Sequence, residues 1–144
     1  MAVKVFFEVG AAGAEKHKGL IKKAAEKTLG ENFSGGTVNV IFVGKAGIIG
    51  LNKRFLGRDK ITDVISFNSP AVPVCDKRRK PVLGELYICV PQALSQAKAM
   101  GHSLLSELLI LTVHGALHLN GMDDSTGELR LAMNRKTAEI LHGL

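Results

Sequence analysis

The chain has 144 residues, the length of one ordinary domain, and 46% of them are hydrophobic, so it can bury a substantial core. Its formal net charge of +6 suits a polyanionic partner, with nucleic acid first. The longest apolar run, LLILTV, lies between Glu107 and His114 and is too short to cross a membrane. The sequence therefore predicts no membrane-spanning segment.

The N-terminus and the cysteines indicate the compartment. The opening MAVKVFFEVG is too short and too strand-like for a signal peptide, and the chain has only two cysteines, Cys75 and Cys89. Because disulfides are rare in reducing compartments, we expect two free thiols rather than a disulfide. The sequence therefore predicts a cytoplasmic protein with no membrane association.

The first half of the chain alternates strand and helix patterns. Residues 3–9 and 37–43 are β-branched and aromatic and predict strands, and residues 63–67 predict a third. Between them, residues 13–29 carry apolar side chains at helical spacing and end at a glycine, which predicts an amphipathic helix. Residues 45–56 predict a short helix that is weakened by its glycines.

The second half begins with a loop and becomes helical. Residues 69–82 hold three of the four prolines and predict a loop, and residues 84–90 predict a fourth strand. A helix is predicted from Pro91 to Met100, since proline favours the first helical turn. A long helix from Ser103 to about Leu119 is apolar on more than one face, which indicates a central, buried position.

The last helix is predicted from a capping pattern. Ser125 is followed three residues later by Glu128, so we expect the helix to begin just after Asp124. With no repeat and no linker, the elements predict a single α+β domain over residues 1–144. Its expected core is a small mixed sheet of about four strands, packed with helices around the central one.

Basic residues are concentrated in two segments, NKRFLGRDK and DKRRK. The members are Lys53, Arg54, Arg58 and Lys60 in the first segment, and Lys77, Arg78, Arg79 and Lys80 in the second. Such clusters bind nucleic-acid phosphates, but they also occur on solvated loops. Charge alone supports the two interpretations equally.

Two histidines on the predicted central helix form a candidate metal site. His114 and His118 are four residues apart and therefore project from one helical face. Gly121 permits a chain reversal that would return Asp123 or Asp124 to that face. Two imidazoles and a carboxylate leave one tetrahedral position open, as in catalytic zinc sites. The alternative is a pair of core histidines with other hydrogen-bond partners.

Three segments resemble the YbeY family. HGALHLNGMDD resembles its H-G-x-L-H-L-x-G-x-D-H signature, and LNKRFLGRDKITDVISF is similar to its LN-x-x-[FY]-R-x-K-D-x-x-TDVLSF stretch. LGELYIC is similar to its L-G-[DE]-[IL]-x-I-C strand. These segments run from about residue 50 to residue 124, and the chain length and element order fit over the rest.

The resemblance implies a metal-dependent, single-strand-specific endoribonuclease of ribosomal RNA processing, acting in small-subunit rRNA maturation and ribosome quality control. Its expected partners are single-stranded RNA and ribosomal RNA or a ribosomal subunit, and its cofactor is one divalent ion, with zinc first. The implied ligands are His114, His118 and Asp124, with Asp123 supporting them. A peptidase is disfavoured because Gly115 stands where zinc peptidases have their glutamate base.

Two positions depart from the family pattern. Asp124 stands where the family has its third histidine, and a carboxylate in that place leaves the identity of the metal open. Leu56 stands where the family has an arginine that resembles a catalytic or phosphate-contacting group. We expect Arg58 or Arg54 to supply that contact.

Three further expectations follow. Glu107 lies seven residues before His114, so it is either an acceptor for a ligand imidazole or a solvated side chain. Because aromatic residues that could stack on bases are few, we expect backbone contact and partner context to set the specificity for RNA. The alternative function is a non-catalytic, RNA-binding ribosome-assembly factor in which the ion only stabilises the fold.

Overall fold

The computed structural model describes residues 2–68 and 81–144. Its centre is a four-stranded sheet with the strand order β1-β2-β4-β3. β1 pairs with β2 and β2 with β4 in parallel, whereas β3 runs antiparallel to β4 at one edge. The strands are β1 (Ala2–Phe7), β2 (Thr37–Val43), β3 (Val64–Phe67) and β4 (Val82–Cys89).

Helices cover both faces of this sheet. Within the described ranges the α-helices are α1 (Lys18–Leu29), α2 (Lys45–Leu56), α3 (Val90–Met100), α4 (Leu104–Leu119) and α5 (Gly127–His142). Short 3-10 helices at Ala14–His17 and Gly30–Phe33 flank α1. The parallel pairing of β1 and β2 requires a crossover connection, which α1 provides.

Side chains alternate along the strands, so the buried strand residues belong to two hydrophobic clusters, one on each face of the sheet. Val40, Leu86 and Ile88 belong to the larger cluster, which includes buried residues of α1 and α4. Ile41 and Cys89 point to the opposite face, where they join a smaller cluster with the helix α2. The site described below lies beside β3, the edge strand that α2 and α4 approach from opposite faces.

α4 is the central helix of the molecule. Nine of its sixteen residues are buried, and it packs against α1, α3 and α5 as well as against β3 and β4. Burial on several sides explains why its sequence is apolar around most of its circumference. The predicted α+β fold with a mixed four-stranded sheet is confirmed, and so is the buried central helix.

α3 and α4 are separate helices joined at a sharp bend. Gly101 adopts a left-handed conformation (φ 78°) that ends α3, and the Ser103 hydroxyl then caps α4 by accepting from the backbone N–H of Ser106. Among the described residues no single helix is long and apolar enough to cross a membrane. α3 and α4 together reach that length and apolarity but are bent by 113°.

The start of the last helix was predicted wrongly. α5 begins at Gly127, and its cap is Thr126, whose hydroxyl accepts from the backbone N–H of Leu129 (3.1 Å). Ser125 instead belongs to the preceding turn, where its backbone N–H and its hydroxyl both donate to the Asp123 carboxylate. This turn delays the helix by two residues.

Other boundaries also differ from the prediction. The helix predicted over residues 13–29 begins with a 3-10 turn and becomes α-helical at Lys18. β4 begins at Val82, two residues earlier than predicted, because Val82 pairs with Thr37 of β2. The rest of the predicted loop, with Cys75 and the basic run Lys77 to Lys80, falls at residues 69–80, outside the described residues. Cys89 is buried and free.

The single tyrosine of the chain provides a test of the sheet packing. Tyr87 lies on β4, and burial, followed by the negative charge of Glu85 and a hydrogen bond to it, raises the pKa of the Tyr87 phenol from 10.0 to about 12. We expect the phenolate absorbance, which comes from this residue alone, to develop near pH 12 in the folded protein. Glu85→Gln should move that titration toward the ordinary value.

The same shift sets the direction of the change in stability with pH. A folded-state pKa above the unfolded value stabilises the protein below the unfolded pKa, and the contribution is lost as the pH rises through the folded pKa. We therefore expect the free energy of unfolding to fall between about pH 10 and pH 12 because of Tyr87. Titration near pH 10 in the folded state would contradict the burial of this phenol.

Candidate metal centre

α4 is fixed to the edge strand β3 and the residue after it by two hydrogen bonds, one between the histidines and one directly after them. The Ser66 hydroxyl donates to the carbonyl oxygen of Gly115 (3.0 Å), and the Asn68 amide donates to that of Leu119 (2.9 Å). A carbon added at Gly115 would lie 3.1 Å from side-chain atoms of both Leu86 and Val64, so helix and sheet approach closely here. The helix is thus a rigid support for its side chains.

His114 and His118 share one face of α4, as predicted. Their Nε2 atoms are 3.1 Å apart, and the ring planes are nearly perpendicular, at 79°. Both side chains are half-buried, with 23% and 29% of their surfaces exposed. The pair therefore lies at a boundary between core and solvent, where a ligand can reach both rings.

The chain reverses directly after the histidines in a Schellman motif. The N–H of Met122 donates to the carbonyl oxygen of Leu117 (3.0 Å) and that of Gly121 to the carbonyl oxygen of His118 (2.9 Å). Gly121 has φ 94°, a backbone conformation that residues other than glycine rarely adopt. The predicted glycine reversal is present.

The reversal also orients a histidine ring, which the sequence did not indicate. The carbonyl oxygen of Met122 lies 3.0 Å from Nδ1 of His118, and a carbonyl only accepts, so Nδ1 carries the proton. The lone pair of that ring is therefore on Nε2, which points toward His114. Support of this kind fixes the tautomer that a metal ligand requires.

Asp124 completes the cluster. One of its carboxylate oxygens lies 3.3 Å from Nε2 of His114 and 3.6 Å from Nε2 of His118. Asp123 is held by the turn: its carboxylate accepts from the backbone N–H and the hydroxyl of Ser125, and these hydrogen bonds lower its pKa. Asp123 therefore stabilises the turn that presents Asp124 and does not bind a ligand imidazole.

The dimensions of this cluster fit a divalent ion. Metal–nitrogen distances of about 2.0–2.1 Å separate tetrahedral ligand atoms by about 3.3–3.4 Å, and the three observed separations bracket that value. Burial, followed by the nearby His118, lowers the pKa of His114, which favours the neutral imidazole that binds metals. The residues present therefore fit one ion with two nitrogen ligands and one oxygen ligand.

The cluster opens into a cleft of about 550 Å³ along the outer edge of β3. α4 forms one wall, and the end of α2 with the loop after it forms the other. The lining residues besides the cluster are Asn52, Leu56, Arg58, Lys60, Thr62, Asp63, Val64, Ile65, Ser66 and Asn68. Of the first basic segment, Arg58 and Lys60 thus line the same cleft as the candidate metal centre, whereas Lys53 and Arg54 do not line it.

Asn52 shapes the loop that carries these two cations. α2 ends at Gly57 in a left-handed turn (φ 67°), and the backbone N–H of Arg58 donates to the carbonyl oxygen of Asn52. The buried side-chain amide of Asn52 donates to the carbonyl oxygen of Lys60 (3.0 Å). The loop is therefore held at both cationic residues, and their side chains begin from fixed backbone positions.

Glu107 is neither a partner of the ligand histidines nor solvated, so both expectations for it were wrong. It is 5% exposed, and its carboxylate binds the ring of His102 (2.5 Å) and the amide of Gln96 (3.0 Å). The Gln96 amide also lies 3.4 Å from Asp63, a residue of the cleft. Glu107 thus joins α3 to α4 behind the cleft.

The whole chain is similar to proteins of one family. A family model described as "Endoribonuclease YbeY" matches residues 10–144. A relative named Endoribonuclease YbeY from Elusimicrobium minutum is 39% identical over 142 residues, which is 98% of each chain. Relatives of the same name from Geobacillus kaustophilus and Bacillus licheniformis are 37% and 41% identical and cover 93% and 90% of this chain, and 90% and 83% of their own.

A solved structure has the same overall fold. The solution structure of a Thermotoga maritima protein superimposes with a TM-score of 0.60 at 25% identity. The match covers 98% of this chain and 90% of the other.

Proposed function

Because the chain belongs to the YbeY family of endoribonucleases, we propose that it is a metal-dependent endoribonuclease that cleaves single-stranded RNA at the centre formed by His114, His118 and Asp124. The observation that carries the proposal is the convergence of these three ligand atoms at the end of a cleft that also contains Arg58 and Lys60. His114, His118 and Asp124 would hold the ion, which when bound would supply Lewis acidity for phosphodiester cleavage.

The protein's own residues bind and orient the substrate. Arg58 and Lys60 stand on the wall opposite the histidines and attract the phosphates that flank the bond to be cut. We propose that they compensate in this way for Leu56, which stands where the family has an arginine. Arg58 is the better candidate for that role than Arg54, which lies outside the lining of the cleft.

The finer parts of the proposal concern metal, substrate and setting. Zinc is the proposed ion because two imidazoles and a carboxylate are a common catalytic zinc set, although the same set also binds iron. Ribosomal RNA is the proposed natural substrate, and the cytoplasm the proposed compartment, on the basis of family membership. We further propose that residues 1–144 act as one domain, since α4 contacts the sheet and three helices from both halves of the chain.

The experiment that tests the activity is cleavage of a labelled single-stranded RNA by the metal-reconstituted protein, beside a duplex of the same sequence. We expect cleavage of the single strand and little cleavage of the duplex. Binding of RNA without cleavage, at full metal occupancy, would instead favour a non-catalytic ribosome-assembly factor. The exposed Leu56 in the cleft, where the family has an arginine, is the observation that makes this alternative specific.

Arg58→Ala tests the phosphate contact. We expect weaker RNA binding at low salt, and a slope of log affinity against log salt that is smaller by about 0.7–0.9, the value for one phosphate contact. Lys22→Ala removes one positive charge from the exposed face of α1 and should leave the slope unchanged. Equal slopes for Arg58→Ala and the parent, measured by fluorescence anisotropy, would exclude Arg58 as the contact.

A further inference from the structure

An aromatic ring stands exposed beside the metal cleft. Of the six phenylalanines, Phe6 and Phe55 are the exposed ones, and Phe55, which is 37% exposed, lies near the end of α2. Residues three and four apart on a helix share a face, so Phe55 and Leu56 both lie on the side of α2 that carries Asn52. Asn52 and Leu56 line the cleft. Phe55 is therefore next to the lining residue Leu56 in the chain and on the same side of α2 as the lining residue Asn52.

The ring is held in place by aromatic contacts that lead into the sheet. Phe55 packs edge-on against Phe67 of β3, with centroids 5.4 Å apart and planes at 72°. Phe67 in turn packs edge-on against Tyr87 of β4, at 5.9 Å and 81°. An exposed ring fixed in this way offers a flat apolar surface without the entropic cost of ordering it on binding.

Positively charged residues accompany the same ring. The Arg54 guanidinium lies over it, 5.1 Å from the centroid, and Arg58 and Lys60 follow on the adjoining loop. A flat apolar surface beside cations matches a nucleotide, whose base stacks while its phosphate pairs with the charge. A protein partner would need a broader apolar surface, and the neighbouring cations would oppose its insertion.

We propose that Phe55, with Arg54, is a base-stacking site that binds an unpaired nucleobase of the RNA next to the nucleotide at the metal centre. The inference rests on the proposed function and refines it. A base within the strand can stack on the Phe55 ring only when it is unpaired, and this is a physical reason for single-strand selectivity. It adds a base contact to the backbone contacts expected from the sequence. Stacking is tolerant of sequence, so the site selects strandedness and not base identity.

The first arm of the test uses substitution. RNA affinity is measured without metal, in the presence of a chelator, so that no strand is cut. We expect Phe55→Leu, which keeps an apolar contact with Phe67, to bind a short single-stranded oligoribonucleotide at least about fivefold more weakly than the parent. Its affinity for an abasic ribose–phosphate chain of the same length should be unchanged, since the phosphate contacts remain.

The second arm uses fluorescence. The chain has no tryptophan, so Phe55→Trp introduces a single indole, which can be excited selectively over Tyr87. Stacking should quench its emission when the oligoribonucleotide is added, but not when the abasic chain is added. Leu131→Trp, at an exposed position on α5, is the matched control and should not be quenched by either strand.

The outcomes separate the two proposals. Equal oligoribonucleotide affinity for Phe55→Leu and the parent, with unquenched Phe55→Trp emission, overturns the stacking site while leaving the nuclease intact. Quenching of the Phe55→Trp emission by RNA, together with RNA binding but no cleavage by the metal-loaded parent, supports the stacking site and overturns the nuclease. A parent that binds no RNA overturns both. Thermal unfolding of each variant checks that the fold is retained.

Discussion

Replacing His118 with alanine is expected to reduce RNA cleavage by more than about 100-fold, since the loss of a group that merely supports a ligand already costs about 10- to 100-fold in metal affinity or activity. The ring of His118 supplies one of the three ligand atoms and is oriented by the Met122 carbonyl. Without it, His114 and Asp124 remain as two ligands, too few for a stable catalytic site.

The loss should be visible without any assay of cleavage. A ligand that binds only the folded state raises the free energy of unfolding. The increase grows with the logarithm of the ligand concentration divided by the dissociation constant of the ligand. We therefore expect added zinc to raise the melting temperature of the parent but not that of His118→Ala. His142→Ala removes an exposed histidine from the last turn of α5 and should behave like the parent in both measurements.

The combination of the two measurements is decisive. Retained cleavage in His118→Ala would place the chemistry elsewhere in the molecule. Lost stabilisation by zinc together with retained cleavage would make the cluster a structural metal site. Lost cleavage with unchanged stabilisation by zinc would mean that the ion lies elsewhere and that His118 acts directly on the RNA.

The parts of the site that are local in sequence could be predicted from the sequence. Spacing on a helix places His114 and His118 together, and a glycine that can adopt positive φ indicates the reversal toward Asp124. Local spacing was misleading at Glu107. Two helical turns separate it from His114 by about 10.5 Å, and its nearest partners come from α3 and the bend, which helical periodicity does not reveal.

The opposite wall of the cleft depends on tertiary packing. Arg54 and Arg58 appear equivalent in the sequence, but α2 ends between them, and the hydrogen bonds of Asn52 hold the loop from which Arg58 lines the cleft. The start of α5 was mispredicted for a related reason: two acceptors, Asp123 and Thr126, compete for the same short stretch of backbone. Composition suggested too few aromatics for stacking, yet one exposed ring beside the cleft is sufficient for the site proposed here.

Gly115→Leu is expected to destabilise the protein by about 2–3 kcal/mol, in the upper range for overpacked cores. The first carbon of any side chain at this position would lie 3.1 Å from Leu86 and Val64 and 3.3 Å from the Ser66 hydroxyl. The remaining atoms of a leucine have no space unless α4 moves away from β3 and β4. That displacement would also strain the hydrogen bond from Ser66 to the Gly115 carbonyl.

A graded series separates this crowding from the general effect of glycine in a helix. Gly50 lies in α2 with no atom within 4 Å of an added carbon, so Gly50→Ala should stabilise the protein by about 0.5–1 kcal/mol through helix propensity alone. At Gly115 the same gain competes with contacts of 3.1–3.3 Å, so alanine should be nearly neutral and leucine strongly unfavourable. Chemical denaturation of the three variants gives these differences directly.

The same displacement should weaken metal binding, because His114 and His118 lie on either side of the contact. We expect Gly115→Leu to lose zinc affinity even under conditions where it is fully folded, whereas Gly50→Ala keeps the affinity of the parent. A leucine variant with unchanged stability and zinc affinity would show that helix and sheet do not meet closely at this point. Crowding at Gly115 also gives a structural reason for the missing peptidase glutamate: β3 and β4 occupy the space that its side chain would need.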